Sequence, residues 1–174
     1  EYSRLMDWGL RLTVVLVLPA AVGMALFSEA LVALLFHYGR FGAHDVNMTA
    51  QAVLAYSLGL SGLVLVKILA PGFYAQQDVR TPVKIGILVV ALTQLLNLVF
   101  VPQFGHAGLP LSISAGALIN AIILFWGLRR RGLYTPLSGW LAYLLKVGFA
   151  AALMGVVLFV LNQQFDWLAL AVSP

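Results

Sequence analysis

Three groups of residues in this 174-residue chain have the types and spacing for chemistry on charged ligands. Thr93 and Asn97 stand one helical turn apart, and with Ser112 from the next apolar run they could offer oxygens to a Na⁺ ion. No carboxylate joins them, so hydrogen bonding between helices is the competing reading. Lys67 is a charge well inside an apolar run. Its stem either snorkels to the interface or carries the ammonium into a hydrated cavity. Arg80 and Lys84 flank Thr81 and Pro82, which read as the N-cap and first residue of a helix. The unpaired N–H groups of that helix start, together with two cations, would make an anion-attracting mouth. The plainer account of the same cations is membrane topology, with Asp78 pairing to Arg80 at the surface.

Catalysis is not expected. The six acidic residues are scattered, without the paired carboxylates that hold Mg²⁺, and the three histidines lack metal-ligand spacing. No phosphate-cradling Gly-rich loop is present. The chain has no cysteine, which excludes disulfides and thiolate metal sites. No metal or organic cofactor is implied.

The elements that must position these residues are membrane spans. Hydrophobic residues make up 62% of the chain and charged ones 9%, with a mean hydropathy of +0.99. Five apolar runs, at about residues 8 to 28, 50 to 70, 83 to 101, 107 to 128 and 140 to 161, each approach the roughly 20 residues a helix needs to cross the hydrocarbon. The expected fold is therefore all-α, a polytopic transmembrane helix bundle with five spans. Arg4, Arg11, Arg80, Lys84, Arg129, Arg130, Arg131 and Lys146 fall on one side of it, which the positive-inside rule makes cytoplasmic. His37, Arg40, His44, Asp45, His106 and Asp166 then face outward. The net charge of +4 thus reflects topology and contact with anionic lipid rather than nucleic acid. The start at Glu1, with Asp7 and Arg11 flanking the first run, does not look like a signal peptide; the chain reads as an internal piece of a longer protein.

Prolines and glycines punctuate the runs. Pro19 should kink the first span, and Pro71 with Gly72 should break the second. Pro102 should close the third, with Gly105 and Gly108 forming a tight outward turn. The run Ala30 to Phe36, after Ser28 and Glu29, is too short to cross and reads as a helix continuation or an interfacial segment before a turn at Gly39 to Gly42. Small and polar residues share faces in Tyr56 to Gly62 and in Ser112, Gly116 and Asn120. Close helix packing and the wall of a hydrated cavity are both readings of that pattern.

One stretch goes further than its composition. Lys67 to Lys84, with Phe73, Tyr74, Asp78, Arg80, Thr81 and Pro82, resembles a loop of the MurJ (MviN) lipid II flippases of the MOP exporter superfamily. Leu34 to Phe41 and His106 to Ser112 resemble two further turns of that family, in the same order along the chain. The resemblance implies a MOP/MATE-like protein of fourteen helices in two lobes, with this chain as helices nine to thirteen. Residues 1–131 would be four helices of the C-terminal lobe, and 132–174 an additional C-terminal helix from an incomplete pair. It implies a multi-pass protein of the bacterial inner membrane, moving lipid-linked peptidoglycan precursor (lipid II) by alternating access. Its partners would be lipid II, membrane lipids and the rest of the same protein, with coupling to Na⁺ or to the membrane potential. Lys67, Arg80 and Lys84 are then candidate substrate-binding residues, and Thr93, Asn97 and Ser112 candidate cation ligands. A smooth fifth span, with Gly148, Ala150 to Ala152 and Gly155, suits either a groove for a polyprenyl tail or ordinary packing. Two alternatives remain beside this reading: a MOP-type exporter of other lipid-linked oligosaccharides or drugs, and a non-transporting scaffold for cell-wall synthesis. Gly42 departs from the resemblance, standing where many members have a Thr or Ser cap ahead of the residue matched by Asp45.

Overall fold

Apolar runs in a bilayer must satisfy every backbone group internally, so they fold as helices. The computed structural model describes residues 2–36 and 40–164, all of their regular structure helical. The helices are α1 (Tyr2–Leu26), α2 (Ser28–Phe36), α3 (Ala43–Tyr74), α4 (Arg80–Phe104), α5 (Gly108–Arg130) and α6 (Trp140–Asn162), with a 3₁₀ turn at Gly105–Ala107. Length and hydropathy mark four candidate spans, one of them the whole of Arg80–Arg130. That segment reverses at Gly105, at φ 56° and ψ −126°, and its two halves pack together, so it crosses twice. Five helices therefore span, and α2 does not. His37, Gly39 and Asp166 lie outside the described residues.

Close approaches fix the directions. A Cβ on Gly72 would meet Met6, so α1 and α3 are antiparallel; Gly59 faces Ser114 and Gly62 faces Ala117, so α3 and α5 are parallel. Gly108 abuts Phe100 and Gly116 abuts Thr93, which sets α4 against α5. Tyr143 Oη donates to the Arg11 carbonyl (2.6 Å) and Asn162 Nδ2 to the Leu26 carbonyl (3.3 Å), so α6 runs parallel to α1. These directions bring the basic residues of all five spans to one end. At that end lies the larger core cluster, built on Met6, Leu10, Leu69, Phe73, Leu124, Leu128 and Tyr134. Ile87, Leu88, Val90 and Leu98 of α4, and Leu141, Leu145, Phe149 and Leu153 of α6, are exposed. Lipid accommodates such faces; water would not.

Several boundaries differ from expectation. α1 stays helical on both sides of Pro19, where a kink and not an end was expected, whereas α3 runs through Pro71, where a break was expected, and reaches Tyr74. Each proline removes one ladder bond, and a membrane offers the backbone nothing better than staying helical. Packing holds α3 past Pro71: Gly72 lets Met6 and Leu128 close in, and Phe73 is fully buried. The helix ends instead in a Schellman motif, Asp78 N–H to the Phe73 carbonyl and Gln77 N–H to that of Tyr74, with Gln77 at φ 58°. α5 ends the same way at Gly132, φ 68°. α4 continues past Pro102 to Phe104. It also starts at Arg80, so Thr81 is not the cap; Asp78 supplies the capping oxygen. At α3 the departure at Gly42 is offset: the Gly42 N–H donates to Asp45 Oδ2 (2.9 Å), the half of a capping box that needs no side chain at the cap. α2 is a continuation of α1 after a break at Phe27, and buries Val32 and Ala33 against Val46 and Ala50.

Candidate functional site

At the basic end, the loop between α3 and α4 is pinned to the end of α5. Asp78 accepts from the Thr81 hydroxyl (2.6 Å), from the Thr81 amide (3.0 Å) and from Arg131 Nη1, and Arg131 Nη2 donates to Thr81 Oγ1 (2.9 Å). Asp78 thus pairs with Arg131 and not with Arg80, because the Schellman turn aims it at α5. The Thr81 hydroxyl and amide, then Arg131, hold its carboxyl down at about 2. A lowered folded-state value stabilises the node above the ordinary 3.8, and that contribution is lost as pH falls from there toward 2. Thr81 amide protection, corrected for intrinsic exchange, should therefore be flat above about pH 4, decline below it, and be lost at neutral pH in Asp78→Ala. Equal protection in Asp78→Ala would refute the node.

Freed from Asp78, Arg80 and Lys84 are exposed on one face of the first turns of α4, and Lys67 is exposed near the end of α3. No ion pair engages any of the three among the described residues. No hydrogen bond or ion pair among the described residues joins Lys67 to the other two. The three oxygen-bearing residues lie on facing helices. Gly116 opposite Thr93 and Gly108 opposite Phe100 put Asn97 level with Ser112. The hydroxyls of Thr93 and Ser112 donate within their own helices, to Val89 and Gly108 (2.8 Å each). Asn97 Nδ2 donates to Gln94 Oε1 (3.3 Å), and its buried Oδ1 accepts nothing among the described residues.

The small residues of α3 serve packing first. Gly59 and Gly62 admit α5, and Ser114 Oγ donates across to the Ala55 carbonyl (2.8 Å). Four apolar recesses adjoin one another through shared wall residues and make a groove bounded by α1, α3, α6 and, toward the basic end, α5. The largest, about 450 Å³, lies between α1, α3 and α6 and is lined by Val17, Ala21, Ser57, Ser61, Leu65 and Leu144 among others. It shares Val22 and Ala25 with a recess reaching Gly155 and Phe159, and Val14 and Leu65 with one reaching Phe125 and Trp140. Leu144 joins it to a fourth, walled by Tyr134, Pro136 and Trp140. From Trp140 to Phe159 the α6 wall is about 28 Å long at ~1.5 Å per residue, close to the hydrocarbon thickness of about 30 Å.

Sequence reasoning missed Asp7, which is 1% exposed. Its Oδ1 accepts from Tyr134 Oη (2.7 Å), Trp140 Nε1 (2.6 Å) and Leu137 N (3.3 Å), while Oδ2 pairs with Arg11 Nε at 2.8 Å. Burial, and then the Asp7 carboxylate, push the Tyr134 phenol up, so it stays a donor. A carboxylate in the first turns of an apolar run, one turn before an arginine, is the signal that could have marked it as buried rather than flanking.

A family model described as lipid II flippase MurJ matches residues 1–172. The lipid II flippase MurJ of Burkholderia cenocepacia is 50% identical over 174 residues, all of this chain and 34% of that protein. A probable lipid II flippase MurJ of Buchnera aphidicola subsp. Baizongia pistaciae is 42% identical over 164 residues, 94% of this chain and 32% of its own length. The solved structure of a lipid II flippase MurJ in an inward closed conformation superposes with a TM-score of 0.71 over 94% of this chain and 38% of that one; at 17% identity this is a likeness of fold. The chain spans about a third of the length of the curated relatives it matches. With a whole-chain family match and relatives of up to 50% identity, this chain belongs to the MurJ lipid II flippase family.

Proposed function

We propose that this chain is the C-terminal-lobe portion, with one added helix from 132 onward, of a flippase that moves lipid II across the bacterial inner membrane by alternating access. The family is one of transporters, and the chemistry here is binding and positioning. The observation that carries the reading is the groove: apolar, of bilayer length, and reaching the end where the cations gather. A lipid-linked precursor joins an anionic pyrophosphate head to a long prenyl tail: the apolar groove matches the tail, and Arg80 and Lys84, exposed on α4 at the same end of the bundle, are cations for the head. Lys67 is a further cation for the head. Asn97 Oδ1, level with Ser112 and one turn from Thr93, is the oxygen we assign to a coupling Na⁺. The remaining lobe of the same protein would close the cavity.

A photo-cross-linking side chain at Leu18, in the groove, should capture lipid II in membranes containing the full-length protein. The same side chain at Leu98, on the exposed face of α4, should capture bulk phospholipid alone. Lipid II adducts at Leu98 and none at Leu18 would refute the groove as the tail's path.

A further inference from the structure

The groove has walls of two kinds. Along most of its length they are aliphatic side chains of α1, α3 and α6, held by helix packing. At the cytoplasmic end they are the rings of Tyr134 and Trp140, and neither ring is held by packing alone. Tyr134 lies in the connection between α5 and α6, and Trp140 is the first residue of α6. Both rings donate to one carboxylate oxygen on a different helix, Asp7 Oδ1, at 2.7 and 2.6 Å, while Ser3 and Arg11 of the same helix bond the connection at Thr135 and Ser138. The same oxygen takes the Leu137 amide, which pins the connection that carries both rings. Asp7 lines none of the four recesses. Tyr134 lines one and Trp140 two. Further contacts pass the constraint along. Tyr134 sets its edge against Phe125 at 5.6 Å between centroids, and the Arg11 guanidinium, held by Asp7 Oδ2, lies 5.4 Å from the Trp140 ring.

Without the carboxylate, the buried phenol O–H of Tyr134 and the half-buried indole N–H of Trp140 would both lose their acceptor. The buried phenol would cost about 1–3 kcal/mol and the half-buried indole less, unless the ring turned to find another partner. Turning either ring redraws the end of the groove. We propose that Asp7 is a positioning residue for transport: by orienting Tyr134 and Trp140 it shapes the cytoplasmic mouth in which the prenyl tail seats. This rests on the groove being the tail's path, so the experiment separates the two readings.

The test uses full-length protein with the photo-cross-linking side chain at Leu144, beside the mouth, or at Val22, mid-groove. Lipid II capture at each is measured in otherwise unaltered protein and in Asp7→Ala, Trp140→Phe and Tyr134→Phe. Tyr134→Phe keeps its ring and removes only the donor, and Trp140→Phe keeps an aromatic side chain while removing the N–H with the five-membered ring, so the two carry the test where Asp7→Ala fails to fold. The expected result is a fall of about fivefold, about 1 kcal/mol by the free-energy conversion, in the ratio of Leu144 to Val22 capture in Asp7→Ala and Trp140→Phe. Tyr134→Phe should give a smaller fall. A merely structural anchor would lower both captures together and leave the ratio unchanged, which would overturn the role of Asp7 while leaving the groove intact. No capture at either position in the otherwise unaltered protein would overturn the groove and this inference with it.

Discussion

Gly62→Leu is expected to abolish the folded bundle, and Gly59→Ala to weaken it by about 2–3 kcal/mol, the upper part of the usual cost of overpacking. A Cβ on Gly59 would stand 2.4 Å from the Ser114 Cα, and one on Gly62 2.6 Å from the Leu118 nitrogen. Those neighbours are main chain, so no rotamer change relieves the clash; α3 and α5 must separate. Separation removes the Ser114 bond to the Ala55 carbonyl as well. In lipid there is no hydrophobic drive to re-close the pair, since tails solvate the exposed faces as well as a partner helix does. Gly86→Ala and Gly148→Ala are the controls, with nothing within 4 Å of either added Cβ. They should be neutral or stabilising by up to about 1 kcal/mol, from helix propensity alone. Thermal unfolding of the full-length protein in detergent reads all four. A Gly59→Ala midpoint equal to that of the unaltered protein would contradict the close approach of α3 and α5.

The second large effect is functional. Ala21→Trp should lower lipid II transport by at least about tenfold, equivalent to about 1.4 kcal/mol, while leaving the melting midpoint near normal. Ala21 lines the largest of the four recesses, and an indole there fills space that no side chain of the described residues occupies. The matched control is Leu98→Trp on α4, a site 73% exposed, where an added ring meets only lipid. Transport by Ala21→Trp at the normal rate, with insertion verified, would remove the groove from the mechanism.

The spans were legible because twenty apolar residues in a row have one solution in a bilayer, and the basic loops gave the sides. Helix ends were not. Pro71 is a strong stop signal taken alone, yet the burial of Gly72 and Phe73 against Leu128 and Met6 carries α3 past it, and those partners are remote in sequence. The partner of Asp78 was misread for the same reason. Arg80 is two residues away and Arg131 is 53, but Gln77 in a left-handed turn points the carboxylate at the distant one. Asp7 was read as a flank because nothing local shows that Tyr134 and Trp140 converge on it. The face of small residues from Tyr56 to Gly62 was readable as a packing surface. That α3 also lines a groove, through Ser57, Ser61 and Leu65, depends on where α6 docks, and a span as uniformly apolar as α6 has no pattern that says so.

α6 is fastened to α1 near both tips, through Asp7, Arg11 and Tyr143 at one and Asn162 at the other, with recesses between. Two beams joined at their ends resist shear far better than two beams in contact at the middle. Neither can slide or roll past the other without breaking a polar bond at one tip or the other. The pair should behave as a lever of constant gauge: when the lobes rock, the slot between α1 and α6 is carried along at fixed width, and the bending falls to joints elsewhere in the protein.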